Sequence, residues 1–134
     1  MKKITFASVE SLTGGMFASE IVGIPGASEF FKGSLVAYSN EVKRKLGVDT
    51  SQGVINAQVA KEMALKGKEY FDVDYCFAFT GNAGPGAAEN KSVGLVFIAI
   101  NNEVHELNFE GNREEVRRQS VNFALEIFKK LIKG

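Results

Sequence analysis

The sequence has 134 residues, of which 45% are hydrophobic and 24% charged, and its 16 lysines and arginines balance 16 aspartates and glutamates. This length suits one domain with a buried core, and the composition is that of a globular protein rather than a disordered or fibrous chain. The balanced charge gives no reason to expect nucleic acid as a partner.

The sequence contains no pattern typical of a secreted or membrane protein. Only a short apolar segment follows Met1-Lys2-Lys3, too short for a secretory signal, and no segment approaches the roughly 20 apolar residues of a membrane helix. The single cysteine, Cys76, cannot form an internal disulfide. We therefore expect a soluble, cytoplasmic protein with no membrane partner.

In the first half of the chain, the spacing of apolar residues predicts two strands and three helices. The strands cover residues 3–8 and 33–38, and the helices cover residues 13–22, 41–46 and 57–71. Asn40 and Asn56 precede the second and third helices, where an asparagine side chain can accept a hydrogen bond from a free helical N–H group. We therefore expect both asparagines to be N-caps.

The second half of the chain predicts three strands and a final helix. The strands cover residues 75–80, 93–100 and 103–109, and Asn101-Asn102 is a predicted two-residue hairpin turn. Asn112 and Glu115 form a predicted capping box at the start of the last helix. Together the elements predict an α/β fold, a single three-layer α/β/α domain over residues 1–134 with a mixed, mostly parallel sheet of about five strands.

Three loops follow predicted strands and carry unusual residues: Glu10–Gly15, Tyr38–Lys43 and Thr80–Gly86. Ligands of open α/β sheets bind beyond the carboxyl ends of the strands, so we expect these loops to converge on one crevice. The glycine-rich third loop is either a flexible connection or a row of backbone N–H groups that can hold a phosphate or carboxylate.

Ser11 is the candidate nucleophile of the first loop, but a serine hydroxyl needs a base to take its proton. His105, the only histidine, lies in a predicted hairpin strand remote from the loops, which disfavours a Ser-His-Asp triad. A lysine can act as the base when burial lowers its pKa. Lys43 follows the end of a predicted strand by one helical turn and lies on the same side of the helix start as Asn40, although a surface lysine is the common alternative.

The composition disfavours metal and cofactor chemistry. One histidine and one cysteine leave only carboxylates as ligands, and no aspartate or glutamate cluster has the spacing of an EF-hand or a two-metal site. The glycines of the third loop match neither a P-loop nor a Rossmann motif. We expect no metal and no cofactor.

Four motifs in order along the chain resemble those of the CinA C-terminal domain family. The first is Val9–Gly15, and the second comprises Pro25–Ser28, Phe31, Gly33 and Tyr38–Lys43. The third and fourth are Thr80–Gly86 and Gly111–Arg117. The characterised enzymes of this family are nicotinamide-nucleotide amidases. The resemblance covers nearly the whole sequence.

The resemblance implies hydrolysis of the carboxamide of nicotinamide mononucleotide, a small-molecule nucleotide, to nicotinic acid mononucleotide and ammonia. It implies a serine–lysine mechanism in which Ser11 is the nucleophile, Lys43 is the general base and Tyr38 supplies a neighbouring hydroxyl. Backbone N–H groups near Thr13–Gly15 are the expected oxyanion donors.

The same comparison, with the position of the loops, predicts the residues that bind substrate. They are Glu10, Thr13, Gly14, Gly15, Asn40, Thr80, Gly81, Gly84, Gly86, Arg113 and Arg117. The glycine-rich loop and either Arg113 or Arg117 are candidates for the phosphate site. Glu10 either orients Lys43 or binds the ribose.

The sequence departs from the family pattern at several positions. Leu12 stands where cysteine is usual and Asn82 where an apolar residue is usual. Ala87-Ala88 replaces glycine, and no proline precedes Val93-Gly94. The departures after Thr80 leave two alternatives open: a catalytically silent nucleotide-binding or protein-interaction module of the same fold, and an amidase or esterase for another substrate.

The predicted first strand also lies at the start of this sequence, where the family commonly has a preceding helix. Without that helix, one face or edge of the sheet is exposed, and a second subunit could cover it. We therefore expect a homodimer or a higher homo-oligomer.

Overall fold

The computed structural model describes residues 3–134, so Met1 and Lys2 of the predicted domain lie outside the described residues. The strands are β1 (Phe6–Glu10), β2 (Phe31–Val36), β3 (Tyr75–Gly81), β4 (Leu95–Ile100) and β5 (Glu103–Asn108). The helices are α1 (Met16–Val22), α2 (Asn40–Leu46), α3 (Ala57–Phe71) and α4 (Arg113–Lys133), and a 3-10 turn, Ala27–Glu29, precedes β2. Within residues 3–134, none of these helices has the length and apolar character needed to cross a membrane.

The five strands form one mixed sheet in the order β2-β1-β3-β4-β5. β1 is parallel to both of its neighbours, and β4 is antiparallel to both of its own, so β4 alone runs against the other four strands. Asn101-Asn102 joins β4 to β5 as predicted, and the flanking residues Ile100 and Glu103 pair across the hairpin. The predicted mixed sheet is confirmed.

Hydrophobic cores lie on both faces of the sheet because the residues of a strand alternate between its two sides. Phe6 of β1 packs with residues of α1 and α4 on one face, including Phe17 and Phe128. Ala7 and Val9 pack with residues of α3 on the other face. This arrangement confirms the predicted three-layer α/β/α architecture.

The helix ends agree with two of the three predicted caps. The side chains of Asn56 and Asn112 accept hydrogen bonds from backbone N–H groups of α3 and α4, and the capping box with Glu115 is present. The prediction for Asn40 is wrong: Ser39 is the N-cap, its hydroxyl accepts from the N–H of Val42, and Asn40 is the first residue of α2.

The first helix also begins later than predicted. It begins at Met16 rather than Thr13, because Gly14 and Gly15 have φ angles of 58° and 98°. Those angles belong to the left-handed region, which favours glycine and interrupts a right-handed helix. Residues 11–15 are therefore a turn between β1 and α1.

The parallel strands β1, β2 and β3 all end at the same edge of the sheet, at Glu10, Val36 and Gly81. The three loops singled out in the sequence begin at this edge. Their convergence, which the strand-end rule predicts, is the starting point of the functional site.

Candidate active site

Ser11 follows the last residue of β1 and lies at the carboxyl edge of the sheet. Its backbone N–H donates to the carbonyl of Phe79 in β3 at 3.0 Å, and its own carbonyl accepts from the N–H of Gly14 at 3.1 Å. The residue is 8% exposed. Two strands and the following turn thus fix the backbone from which the hydroxyl projects.

The fully buried carboxylate of Glu10 holds the start of α1 against β1. It accepts hydrogen bonds from the backbone N–H groups of Gly15 at 3.1 Å, Phe17 at 3.1 Å and Ala18 at 2.9 Å. Negative charge at a helix N-terminus is favourable, because the first N–H groups have no partner within the helix. Glu10 therefore anchors the turn that follows Ser11.

Three hydroxyl groups complete the surroundings of the Glu10 carboxylate. Ser8 donates to it at 3.0 Å, Thr13 at 2.7 Å and Ser34 at 3.3 Å. Glu10 has no hydrogen bond to Lys43 and does not line the cleft described below, so its position supports neither of the two roles predicted for it, orienting Lys43 and binding the ribose. Its partners show that it shapes the loop instead.

Lys43, near the start of α2, directs its side chain towards Ser11. Its Nζ donates to Ser11 Oγ at 2.9 Å and to the carbonyl of Tyr38 at 2.8 Å, and the residue is 1% exposed. Burial lowers the pKa of Lys43 to about 8, against an opposing effect of the Glu89 carboxylate, which raises it. A buried amine with this pKa can lose its proton near neutral pH and act as a base.

Tyr38 lies beside this pair and is 58% exposed. Its hydroxyl accepts from Nη2 of Arg113 at 3.1 Å, and Nη1 of Arg113 donates to the carbonyl of Gly84 at 2.6 Å. Among residues 3–134, the Tyr38 hydroxyl has Arg113 as its hydrogen-bond partner, whereas the Tyr38 carbonyl contacts Lys43. Arg113 thus connects the loop after β2 with the glycine-rich loop.

A cleft of about 350 Å³ opens beside the Ser11–Lys43 pair. Nine of the predicted site residues line it: Ser11, Tyr38, Asn40, Lys43, Thr80, Gly81, Gly84, Gly86 and Arg113. A volume of this size falls within the range of small-molecule sites. The structure therefore brings most of the predicted residues together.

The other predicted substrate contacts build the turn after Ser11 and do not line the cleft. Thr13 is fully buried and donates to Glu10, as does the N–H of Gly15. Nε of Arg117 donates to the carbonyl of Leu12 at 2.8 Å, and its Nη2 donates to the carbonyl of Thr13 at 3.3 Å.

Arg117 is therefore occupied by the backbone of this turn. Gly14 is exposed outside the cleft, next to the guanidinium of Arg117. The positions of these residues do not support the direct substrate contact that was predicted for Thr13, Gly14, Gly15 and Arg117. They determine the shape of the turn instead.

The same turn narrows the choice of oxyanion donors. The N–H of Gly14 donates to the Ser11 carbonyl and that of Gly15 to Glu10, so neither is free for a ligand. Within residues 3–134, the N–H groups of Leu12 and Thr13 have no acceptor in the chain. Of these two residues only Leu12 lines the cleft, so its N–H group is the donor that the turn leaves available to a ligand next to Ser11.

The cleft also contains residues that were not among the predicted catalytic and substrate-binding residues. These are Leu12, Val54, Ile55, Asn82, Ala83, Ala88 and Glu89. Val54 and Ile55 come from the segment before α3, which reaches the cleft because the carbonyl of Val54 accepts from the Thr80 hydroxyl at 2.7 Å. Asn82, a departure from the family pattern, accepts from the N–H of Gly84 at 3.0 Å and so shapes the glycine-rich loop from within.

Two other reactive side chains lie away from the cleft. His105 is on β5, where its Nε2 is 3.1 Å from a carboxylate oxygen of Glu103. Cys76 is fully buried in β3, and burial raises the pKa of its thiol to about 12. Neither is a nucleophile or base for Ser11. Among residues 3–134, no group of three or more histidine, cysteine, aspartate or glutamate side chains could hold a metal ion.

The fold and the site define a three-layer α/β domain in which a buried lysine contacts a serine at the end of the first strand. The CinA C-terminal domain family matches residues 1–132, and the chain belongs to that family. The predicted family is thus confirmed.

Related sequences agree with this assignment. A CinA-like protein of Thermotoga sp. (strain RQ2) is 42% identical over 142 residues, which cover 99% of this chain and 35% of that protein. A CinA-like protein of Endomicrobium trichonymphae is 42% identical over 139 residues, covering 96% of this chain and 32% of that protein. The chain spans about a third of the length of these curated relatives.

Solved structures share the fold. A CinA superfamily protein of Klebsiella pneumoniae superposes with a TM-score of 0.90 at 25% identity, covering 97% of this chain and 88% of that one. A competence/damage inducible protein of Agrobacterium tumefaciens gives a TM-score of 0.87 at 34% identity, covering 96% of this chain and 85% of that one. The predicted fold is confirmed by both.

Proposed function

We propose that this domain is an amidohydrolase that converts nicotinamide mononucleotide to nicotinic acid mononucleotide and ammonia. The observation that carries the proposal is the 2.9 Å contact between Lys43 Nζ and Ser11 Oγ at the wall of an open cleft. A buried lysine in contact with a serine hydroxyl is an arrangement suited to acyl transfer, because it supplies both a nucleophile and its base.

In the first step, neutral Lys43 takes the proton of Ser11, and the serine oxygen attacks the carboxamide carbon. With a pKa of about 8, about one Lys43 in ten is neutral at pH 7, which is enough to sustain catalysis. The free N–H group of Leu12, which lines the cleft, is the candidate to stabilise the oxygen that becomes negative as the tetrahedral intermediate forms.

In the second step, the Lys43 ammonium returns its proton to the departing nitrogen. The carbon–nitrogen bond breaks, ammonia leaves, and the acyl group remains as an ester on Ser11. A water molecule then loses a proton to Lys43 and attacks the ester carbon. The products are the free carboxylate and the regenerated serine, so one water is consumed for each ammonia released.

The remainder of the cleft is suited to the nucleotide part of this substrate. Arg113, at the rim, carries a positive charge that can pair with a phosphate, and it is already oriented by its bonds to Gly84 and Tyr38. Gly86 lines the same wall without a side chain to exclude a ligand. The phosphate is therefore assigned to the Arg113 side of the cleft.

An ammonia-release assay on the purified protein with nicotinamide mononucleotide tests the proposal. We expect turnover by the wild type and none by Ser11→Ala. The matched control is Ser19→Ala, which removes an exposed hydroxyl from α1 and should leave turnover unchanged. Binding of the nucleotide without release of ammonia by the wild type would instead support a catalytically silent binding module.

A further inference from the structure

Glu89 places a carboxylate on the wall of the same cleft as Ser11 and Lys43. It lies in the segment after the glycine-rich loop, where the sequence departs from the family pattern. Its φ angle of 55° is in the left-handed region, which non-glycine residues adopt only when their surroundings compensate the cost. The position is therefore built and not incidental.

The compensation comes from the segment before α3. The Glu89 carboxylate accepts from the N–H of Val54 at 2.9 Å and from the N–H of Ile55 at 3.0 Å. Gly53 leaves the space that this contact needs, because a Cβ atom there would lie 2.6 Å from a carboxylate oxygen of Glu89. The negative charge is thus held at one place in the cleft by two adjacent backbone N–H groups.

The charges along the cleft form a simple pattern. Among the described residues that line it, the charged side chains are Lys43, Arg113 and Glu89. Lys43 is neutral when it acts as the base, which leaves Arg113 as the positive group and Glu89 as the negative group of the cleft. The effect of Glu89 on the pKa of Lys43 is consistent with a carboxylate that acts on the reaction centre.

The substrate proposed above carries a matching pair of charges. The ring that carries the reacting carboxamide has a quaternary nitrogen, so the pyridinium ring is positive, and the phosphate at the other end is negative. The pyridinium ring carries the carboxamide, so with the carboxamide at Ser11 the positive ring lies in the part of the cleft next to Lys43. The Glu89 carboxylate lines the same cleft and acts electrostatically on Lys43. An attraction between unit charges a few ångströms apart is substantial in a partly desolvated cleft.

We propose that Glu89 is a specificity-determining residue that favours carboxamides on a cationic pyridinium ring over carboxamides on a neutral ring. This proposal rests on the proposed function, since it uses the substrate orientation given there. It differs from the proposed function in what it predicts, which is a preference for the charge of the bound ring and not a hydrolytic reaction.

The test compares two ligands that share the carboxamide, ribose and phosphate and differ in the ring: nicotinamide mononucleotide, which is cationic at the ring, and its reduced form, which is neutral there. Dissociation constants are measured by calorimetry on Ser11→Ala, with and without Glu89→Gln. The glutamine keeps an oxygen that can accept from Val54 and Ile55, so the loop contact is retained while the charge is removed.

We expect Glu89→Gln to weaken binding of the cationic nucleotide about tenfold and binding of the reduced nucleotide less than about twofold. Glu126→Gln, which removes an exposed carboxylate of α4, is the matched control and should change neither constant. Equal weakening of both ligands, or of neither, would overturn the proposal, because Glu89 would then only support the loop.

The outcome is independent of the test of catalysis. A wild type that binds the cationic nucleotide without releasing ammonia contradicts the proposed function but leaves the ring-charge comparison intact. Failure of both ligands to bind the Ser11→Ala protein would overturn the ring-charge proposal together with the proposed substrate.

Discussion

Lys43 Nζ lies 2.9 Å from Ser11 Oγ, although 32 residues separate the two in the sequence. The contact follows from the sheet, because β1 and β2 are parallel neighbours whose carboxyl ends lead into the Ser11 turn and into α2. The Ser39 cap fixes the start of α2, and the Lys43 side chain then points back over the end of β1. Strand order and one helix cap together bring the nucleophile to its base.

Lys43→Met tests whether this lysine is needed for chemistry rather than for stability. Methionine keeps a long apolar side chain but removes the base, so we expect ammonia release to fall by about 10⁴-fold or more. Lys45→Met, on an exposed position of the same helix, is the control and should retain wild-type turnover. Substantial activity in Lys43→Met would contradict the serine–lysine mechanism.

The stability of the wild type relative to Lys43→Met should depend on pH in a defined direction. The pKa of Lys43 is lowered to about 8 in the folded state from the ordinary value of 10.5, so the unfolded state binds the proton more tightly. The free-energy cost of burying the Lys43 ammonium is fully present below about pH 8 and decreases as the pH rises towards 10.5. Wild type should therefore gain stability relative to Lys43→Met over that range, measured by urea unfolding at several pH values.

The rate of ammonia release should rise with pH and level off above about 8, because only neutral Lys43 can act as the base. The other charged groups that line the cleft are Arg113 and Glu89. Glu89→Gln removes the group that raises the pKa of Lys43, so the rising part of this variant's pH–rate profile should move to lower pH.

A control is needed because the Tyr38 hydroxyl also borders the cleft. Tyr38→Phe should retain the rising limb if Lys43 is the titrating group. A wild-type rate that does not change between pH 6 and pH 9 would count against Lys43 as the base.

The fold could be predicted from the sequence because its signals are local and repeated. Periodic apolar residues mark α3 and α4, and the asparagine caps of both helices were predicted correctly. The cap of α2 was not, because Ser39 and Asn40 are both suitable residue types in adjacent positions. Composition does not decide between them; the register of the first helical hydrogen bond does.

The residues of the candidate site could be predicted where they follow strand ends, as Ser11 and Lys43 do, and where they belong to a family motif. The role of Glu10 also had a signal: it alternates with Val9 along β1, which places it on the same face as Phe6, under α1. Glu89 had none, because its contact with Val54 joins two loops 35 residues apart, and no periodicity relates one loop to another.

Glu10→Gln should destabilise the protein by at least about 2 kcal/mol, measured by urea unfolding, because the amide cannot accept all the hydrogen bonds that the buried carboxylate accepts. The amide NH₂ would also face the backbone donors of α1. Glu20→Gln, on α1, is the matched control: the exposed ion pair of Glu20 with Arg118, at 3.6 Å, should contribute less than about 1 kcal/mol. Equal stability of the two variants would contradict the anchoring role of Glu10.

Arg113 and Arg117 lie one helical turn apart on α4, and their contacts predict different kinetic effects. Arg113→Gln should raise the KM for nicotinamide mononucleotide about tenfold, because a charge-assisted bond to the phosphate is lost. It should change the KM for nicotinamide riboside, which has no phosphate, much less. Arg117→Gln should instead lower kcat for both substrates, because it releases the carbonyl groups of Leu12 and Thr13 beside the nucleophile.

Comparing the two arginine variants on the two substrates separates phosphate recognition from positioning of the turn. Both changes remove one positive charge from the same helix, so a general effect of charge on nucleotide binding would raise KM equally in both. A KM effect that is confined to Arg113→Gln and to the phosphorylated substrate assigns the phosphate to the Arg113 side of the cleft. The same loss on nicotinamide riboside would show that Arg113 acts through its bonds to Gly84 and Tyr38 instead.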